Sequence, residues 1–158
     1  MTEYLDRGAR ALDHMHEREL RAFLAVWRRA EEAGCRPPAC DDPAYASLAG
    51  ILAHVLRASR GYLVWVASTL SLGDPGVRPA PAAEDAARDA DDFVEHVLER
   101  WRAVLARIEP EALDRVEAKS SWGVTYSVDA MLEHAVMHPA RHAFQIEEWL
   151  DGERAPTR

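Results

Sequence analysis

The segment from Met131 to Leu150 constrains this chain more than any other, because its apolar residues and its histidines fall at a single helical spacing. Val128, Met131, Ala135, His138, His142, Gln145 and Trp149 follow a three-four alternation, which places them on one stripe of an α-helix. Residues four apart lie about 6 Å apart along the axis, so His138 and His142 can each aim an imidazole nitrogen at one cation. His134 extends the row, but it stands about 12 Å along the axis from His142, and all three cannot share one ion. It is expected beside the site or at the surface. Two histidines leave a divalent cation short of ligands, and the natural source of a third is another helix.

His54 fits that need. It lies in the apolar run from Leu48 to Tyr62, where Ile51, Ala58, Gly61 and Trp65 continue its face at helical spacing. The competing reading makes His54 a hydrogen-bonded core residue, and His138 and His142 two polar residues bonded to carbonyls or carboxylates at a helix interface. Pro139 bears on the geometry. Proline removes the bond to the carbonyl four residues back, here that of Ala135, so a kink is expected beside the site. A break with a restart at Pro139 would instead swing His138 off the face of His142. His14, His16 and His96 stand among charged residues with no partner at ligand spacing.

Four long helical segments are readable. The first runs from Thr2, a candidate N-cap, to Gly34. The second begins between Pro43 and Ser47 and ends near Gly73, before a Pro-rich linker around Pro79 and Pro81. The third starts in the acidic stretch from Glu84 to Asp92, carries Phe93, Val97, Leu98, Trp101, Val104 and Leu105 inward, and stops by Pro110. After a short helical turn, Glu117 to Ser127 suits an extended segment or hairpin, with Gly123 among β-branched and aromatic residues. The last helix ends at Asp151 and Gly152. The expected fold is all-α, a four-helix bundle with long crossover connections, forming one domain over residues 1–158. Trp122 and Tyr126, in the loop that enters the last helix, are placed either to cap a pocket mouth or to pack on the bundle end.

The formal net charge of −8 disfavours a polyanionic partner, so nucleic acid is not expected. Apolar runs are interrupted by His54, Arg57 and Arg60 or by acids well before the roughly 20 residues of a membrane span. The N-terminus lacks a basic start and an apolar signal core, which points to the cytoplasm. Cys35 and Cys40, in the Pro-rich connection after the first helix, read as loop thiols.

Leu52-Ala-His54-Val55, together with His138-Pro-Ala-Arg-His142-Ala-Phe-Gln145-Ile146, resembles the DinB superfamily over nearly the whole chain. That family comprises four-helix-bundle metalloproteins, including YfiT-like proteins, bacillithiol transferases and the metal-binding domain of mycothiol-dependent maleylpyruvate isomerase. The resemblance implies one ligand from the second helix and an His-x-x-x-His pair from the last, here His54, His138 and His142. Three neutral histidines on a divalent metal, zinc or nickel, leave an open fourth position for water or a thiol. The family points to a low-molecular-weight-thiol S-transferase of the mycothiol or bacillithiol type, or a related hydrolase. The alternative is a non-catalytic metal-binding or stress-associated bundle. Arg57 and Arg141, near the ligands in sequence, are candidates to hold an anionic thiol cofactor or the carboxylate of a small-molecule substrate. Glu133, Glu147 and Glu148 lie near the metal turn, but none is singled out as general base. The family commonly pairs, and Trp27, Tyr62, Trp65 and Trp101 offer more apolar surface than one small core needs, so a homodimer is expected.

Overall fold

In a computed structural model, which describes residues 2–154, helix dominates and the only strands among the described residues form one small hairpin. The long helices are α1 (Arg7–Ala33), α2 (Leu48–Thr69), α3 (Ala83–Leu105) and α5 (Val128–Arg154). Between the last two come the short α4 (Pro110–Arg115) and the strands β1 (Glu117–Lys119) and β2 (Thr125–Ser127). The long helices pack most extensively in the pairs α1 with α5, α2 with α3 and α2 with α5, and α1 also touches α3 and α2. No helix among the described residues is long and apolar enough to cross a membrane.

Local chemistry sets the boundaries. Asp6, not Thr2, caps α1, its carboxylate accepting the Ala9 N–H at 2.7 Å. The residues before it turn back on the fold: the Leu5 N–H donates to Ala106 at 3.3 Å, and the Tyr4 hydroxyl donates to the buried Asp13. Gly34 ends α1 in the left-handed region at φ 68°, where a glycine carries no Cβ penalty. Ser47 caps α2 by accepting the Gly50 N–H at 3.0 Å. That helix stops at Thr69, earlier than Gly73, because Ser71 turns the chain at φ 53°.

Pro139 does not break α5, which runs on through Gly152 to Arg154. His138 and His142 therefore keep their place one turn apart on one element, and both are buried. The helix α2 is apolar on nearly all sides because α3 and α5 cover it. The outer faces of α1 and α3 are instead joined by exposed ion pairs, Arg21 with Glu95 and Arg28 with Asp91, which contribute little to stability.

The aromatic residues expected to supply a dimer surface belong to the protomer itself. Trp27, Tyr62 and Trp101 are buried, and Trp65 packs against the core. Their indoles are satisfied internally, Trp27 by the Leu48 carbonyl at 2.8 Å and Trp101 by that of Ser59 at 3.1 Å. Any pairing of protomers has to use other surface.

His16 is a residue that the spacing of histidines does not reveal. It is fully buried, stacks on Trp101 with ring centroids 4.0 Å apart, and has Nε2 3.3 Å from the Ser59 hydroxyl. Burial pushes its imidazole down to about 3. Between its ordinary value near 6.5 and that limit, the unfolded chain takes up a proton that the folded chain refuses, so stability falls as pH falls. His16→Phe, which keeps a flat ring against Trp101, is expected to flatten the dependence by about 1.4 kcal/mol per pH unit between pH 6 and 4. Urea unfolding at a series of pH values measures it; parallel curves for the two proteins would refute the assignment.

Candidate metal centre

Three side chains from two helices converge beside the α1–α2 connection. His54 comes from α2, and His138 and His142 from consecutive turns of α5. One ring nitrogen from each lies within 4.8 Å of the other two, and these three residues are the group of ligand-type side chains so placed among the described residues. His54 Nε2 and His138 Nε2 stand 3.0 Å apart. Tetrahedral coordination with metal–nitrogen bonds of 2.0–2.1 Å separates ligand nitrogens by roughly 3.3 Å, so the spacing is close to what a bound ion needs.

The protonation chemistry agrees with a cation. Burial pushes His138 down to about 3, with further lowering from His142, His54 and Arg141. Burial is also the main cause of the lowered values at His54 and His142. All three rings are therefore neutral near pH 7, with lone pairs available as ligands. Gln145 favours one tautomer of His142, its side-chain oxygen lying 3.1 Å from Nδ1 and so placed to accept a hydrogen bond from an N–H there. The bare Nε2 of His142 is buried without a hydrogen-bond partner, as is Nδ1 of His138. A buried acceptor with no donor is costly, and a divalent ion would remove that cost at Nε2 of His142, though not at Nδ1 of His138, whose other nitrogen is the one facing His54.

Tyr45 closes one side of the cluster. Its hydroxyl is 3.5 Å from His54 Nε2, and its ring lies 5.3 Å from that of His54 and 5.7 Å from that of His142. An Asp42 turn holds it there, with the Ala44 N–H on the Asp42 carboxylate at 2.9 Å and the Tyr45 N–H on the Asp42 carbonyl at 3.0 Å. Sequence reasoning misses Tyr45 because it sits in a connection, outside any periodic stripe. The Asp42-Pro43 turn signal two residues before it is the one hint available.

On the other side, a cavity of about 970 Å³ runs from His54 and His138 to the hairpin. Trp122, expected either at a pocket mouth or on the bundle end, is half exposed and lines this cavity. Tyr126 stands behind it, with ring centroids 5.8 Å apart. His134, outside the triad as its spacing requires, is on the cavity wall between Tyr62 and Trp122. Arg141 is exposed at the rim. Arg57 lines a separate cleft with Arg60 and the Pro79–Ala83 linker, although its charge still lowers the proton affinity of His54. Of the three nearby glutamates, Glu133 and Glu148 are exposed and Glu147 faces Arg29 at 3.8 Å; none lines the cavity. Cys35 is buried and Cys40 exposed, both away from the cavity wall. His14 is exposed, and His96 accepts the Arg78 N–H at 3.1 Å.

Gln145 acts only through His142, so removing its oxygen should free the imidazole to adopt the other tautomer. Gln145→Leu is expected to weaken zinc binding about tenfold to a hundredfold with the fold intact. Competition against a chromophoric chelator measures this, and unchanged affinity would mean that the contact does not orient the ring.

The model of the DinB superfamily matches residues 15–146, a span that takes in α2, α3 and all three converging histidines. No curated protein and no solved structure matches the chain. With the family matched across most of its length, the chain belongs to the DinB superfamily.

Proposed function

We propose that this protein is a cytoplasmic, single-domain, metal-dependent enzyme on a four-helix bundle, a low-molecular-weight-thiol S-transferase of the mycothiol or bacillithiol type or a related hydrolase. The observation that carries the proposal is the buried, unpartnered Nε2 of His142 beside two further imidazoles, one nitrogen from each within 4.8 Å of the others. His54, His138 and His142 would hold a zinc or nickel ion, which supplies Lewis acidity and lowers the pKa of a thiol or water at its open position. In S-transfer the thiol loses its proton, its sulfur bonds to an electrophilic carbon, and the leaving group departs with the bonding pair and a proton.

The chain's own residues take the remaining roles. Gln145 keeps His142 in the tautomer that presents Nε2. The Tyr45 hydroxyl, beside His54, is positioned to hydrogen-bond the thiol or water brought there. His134, uncharged through burial and on the cavity wall, is the imidazole placed to receive the released proton. Arg141 at the rim, and Arg57 in the neighbouring cleft, would anchor anionic groups of the thiol or of its co-substrate. A homodimer would pair through exposed apolar residues of α5, Met137 and Phe144, both 62% exposed.

Elemental analysis of the purified protein, followed by a thiol-conjugation assay before and after chelation, tests the reading. Stoichiometric metal is expected in the wild type and lost in His138→Ala and His142→Ala, while His134→Ala keeps it. Conjugation should disappear with chelation and in His54→Ala, yet persist in Cys40→Ser. Metal retained fully by both α5 variants, or activity that survives chelation but needs a cysteine, would overturn it. Tyr45→Phe is expected to keep the metal and lose about tenfold to a hundredfold in kcat/KM. Full activity in that variant would remove Tyr45 from the chemistry.

A further inference from the structure

The walls of the cavity beside the triad differ in charge from the rest of the protein. The chain carries 27 Asp and Glu against 19 Lys and Arg, yet none of those carboxylates lines this cavity. Its two charged side chains are Lys119, the only lysine in the sequence, and Arg141. Elsewhere arginines such as Arg21, Arg28, Arg78, Arg88 and Arg102 are paired with acids. Lys119 and Arg141 have no ion-pair partner among the described residues.

Much of the cavity wall is aromatic and apolar, its rings tilted against one another. Rings follow one another from His138 to Tyr62 at 5.7 Å, from Tyr62 to His134 at 5.6 Å, and from His134 to Trp122 at 5.5 Å. Val64, Trp65 and Met131 contribute further apolar wall. Lys119 is held at the cavity because its carbonyl accepts the Trp65 indole N–H at 3.2 Å, fastening β1 to α2. Cavities of a few hundred to 1,000 Å³ with apolar walls and a few placed polar groups take small organic ligands. A guanidinium presents a planar fork that matches a carboxylate.

We propose that this cavity binds the co-substrate as an organic acid, a flat apolar or aromatic body along the ring wall with its carboxylate held by Arg141 and Lys119. The inference rests on the proposed function only in taking the cavity as the place where the co-substrate meets the triad. The charge complementarity itself needs no metal. It also separates the two arginines singled out in the sequence: Arg141 serves this ligand, while Arg57 faces another cleft.

Isothermal titration with 1-naphthylacetate and its neutral amide, on zinc-loaded and on chelated protein, tests it. The acid is expected to bind about tenfold more tightly than the amide in both forms. Arg141→Gln and Lys119→Gln should each weaken the acid about threefold to fivefold and leave the amide unchanged, and the double variant should erase the preference. Both side chains are exposed, so these replacements leave the core as it is. Equal affinities for acid and amide would overturn the proposal. So would an acid preference that vanishes on chelation and ignores both substitutions, since the carboxylate would then be bound by the ion. Failure of the metal reading is seen separately, as a purified protein without metal whose acid preference is intact.

Discussion

Three neutral imidazoles share one partly enclosed space, and their lone pairs cannot be satisfied by one another alone. The 3.0 Å approach of His54 Nε2 to His138 Nε2 is met either by one neutral ring donating its N–H to the other or by a cation held between them. Burial keeps a further proton off, pushing His138 down to about 3, so the rings stay neutral and able to act as ligands. The group could hold a metal ion, and Nε2 of His142, buried without a partner, is the atom that such an ion would satisfy. The convergence makes a demand on the helix packing: α2 and α5 run side by side, and the turn that carries Tyr45 brings its ring against two of the three imidazoles.

α5 bears most of that demand. It supplies two of the triad, the residue that orients one of them, the neutral His134 and the cation Arg141. A proline in such a helix removes one backbone bond, yet α5 remains helical on both sides of Pro139 while packed against α1 and α2. The two histidine turns therefore stay in register. The α1 side of the protein uses a polar residue differently: His16 stands fully buried against the Trp101 ring and the Ser59 hydroxyl.

Where an element is governed by its own periodicity, it is legible in the sequence. The stripe on α5 identifies His138 and His142 and sets His134 apart from them, and the apolar run of α2 supplies His54; the structure brings those three together into a group that could hold an ion. The hairpin is foretold by Gly123 and its β-branched neighbours, and it forms with Ala118 opposite Tyr126. His16 escapes notice because its neighbours in sequence are charged, although it lies on the same stripe as Ala9, Leu20 and Phe23, all buried. Tyr45 escapes for a different reason, since a side chain in a connection reaches its partners only through tertiary contact. Surface need is equally hidden. Trp27 and Trp101 read as surplus apolar area until their indoles are seen to be bonded inside the protomer.

The hairpin has a consequence of its own. Its two three-residue strands join at a turn closed by Ser120 and Val124, and one indole bond from Trp65 fastens the strand to α2. It contributes Lys119 and Trp122 to the cavity, yet it supplies none of the converging histidines. The histidine cluster therefore rests on helices alone, while part of the cavity wall rests on a short connection between α4 and α5. A change of length or sequence in that connection would reshape the wall without altering the elements that carry the three imidazoles.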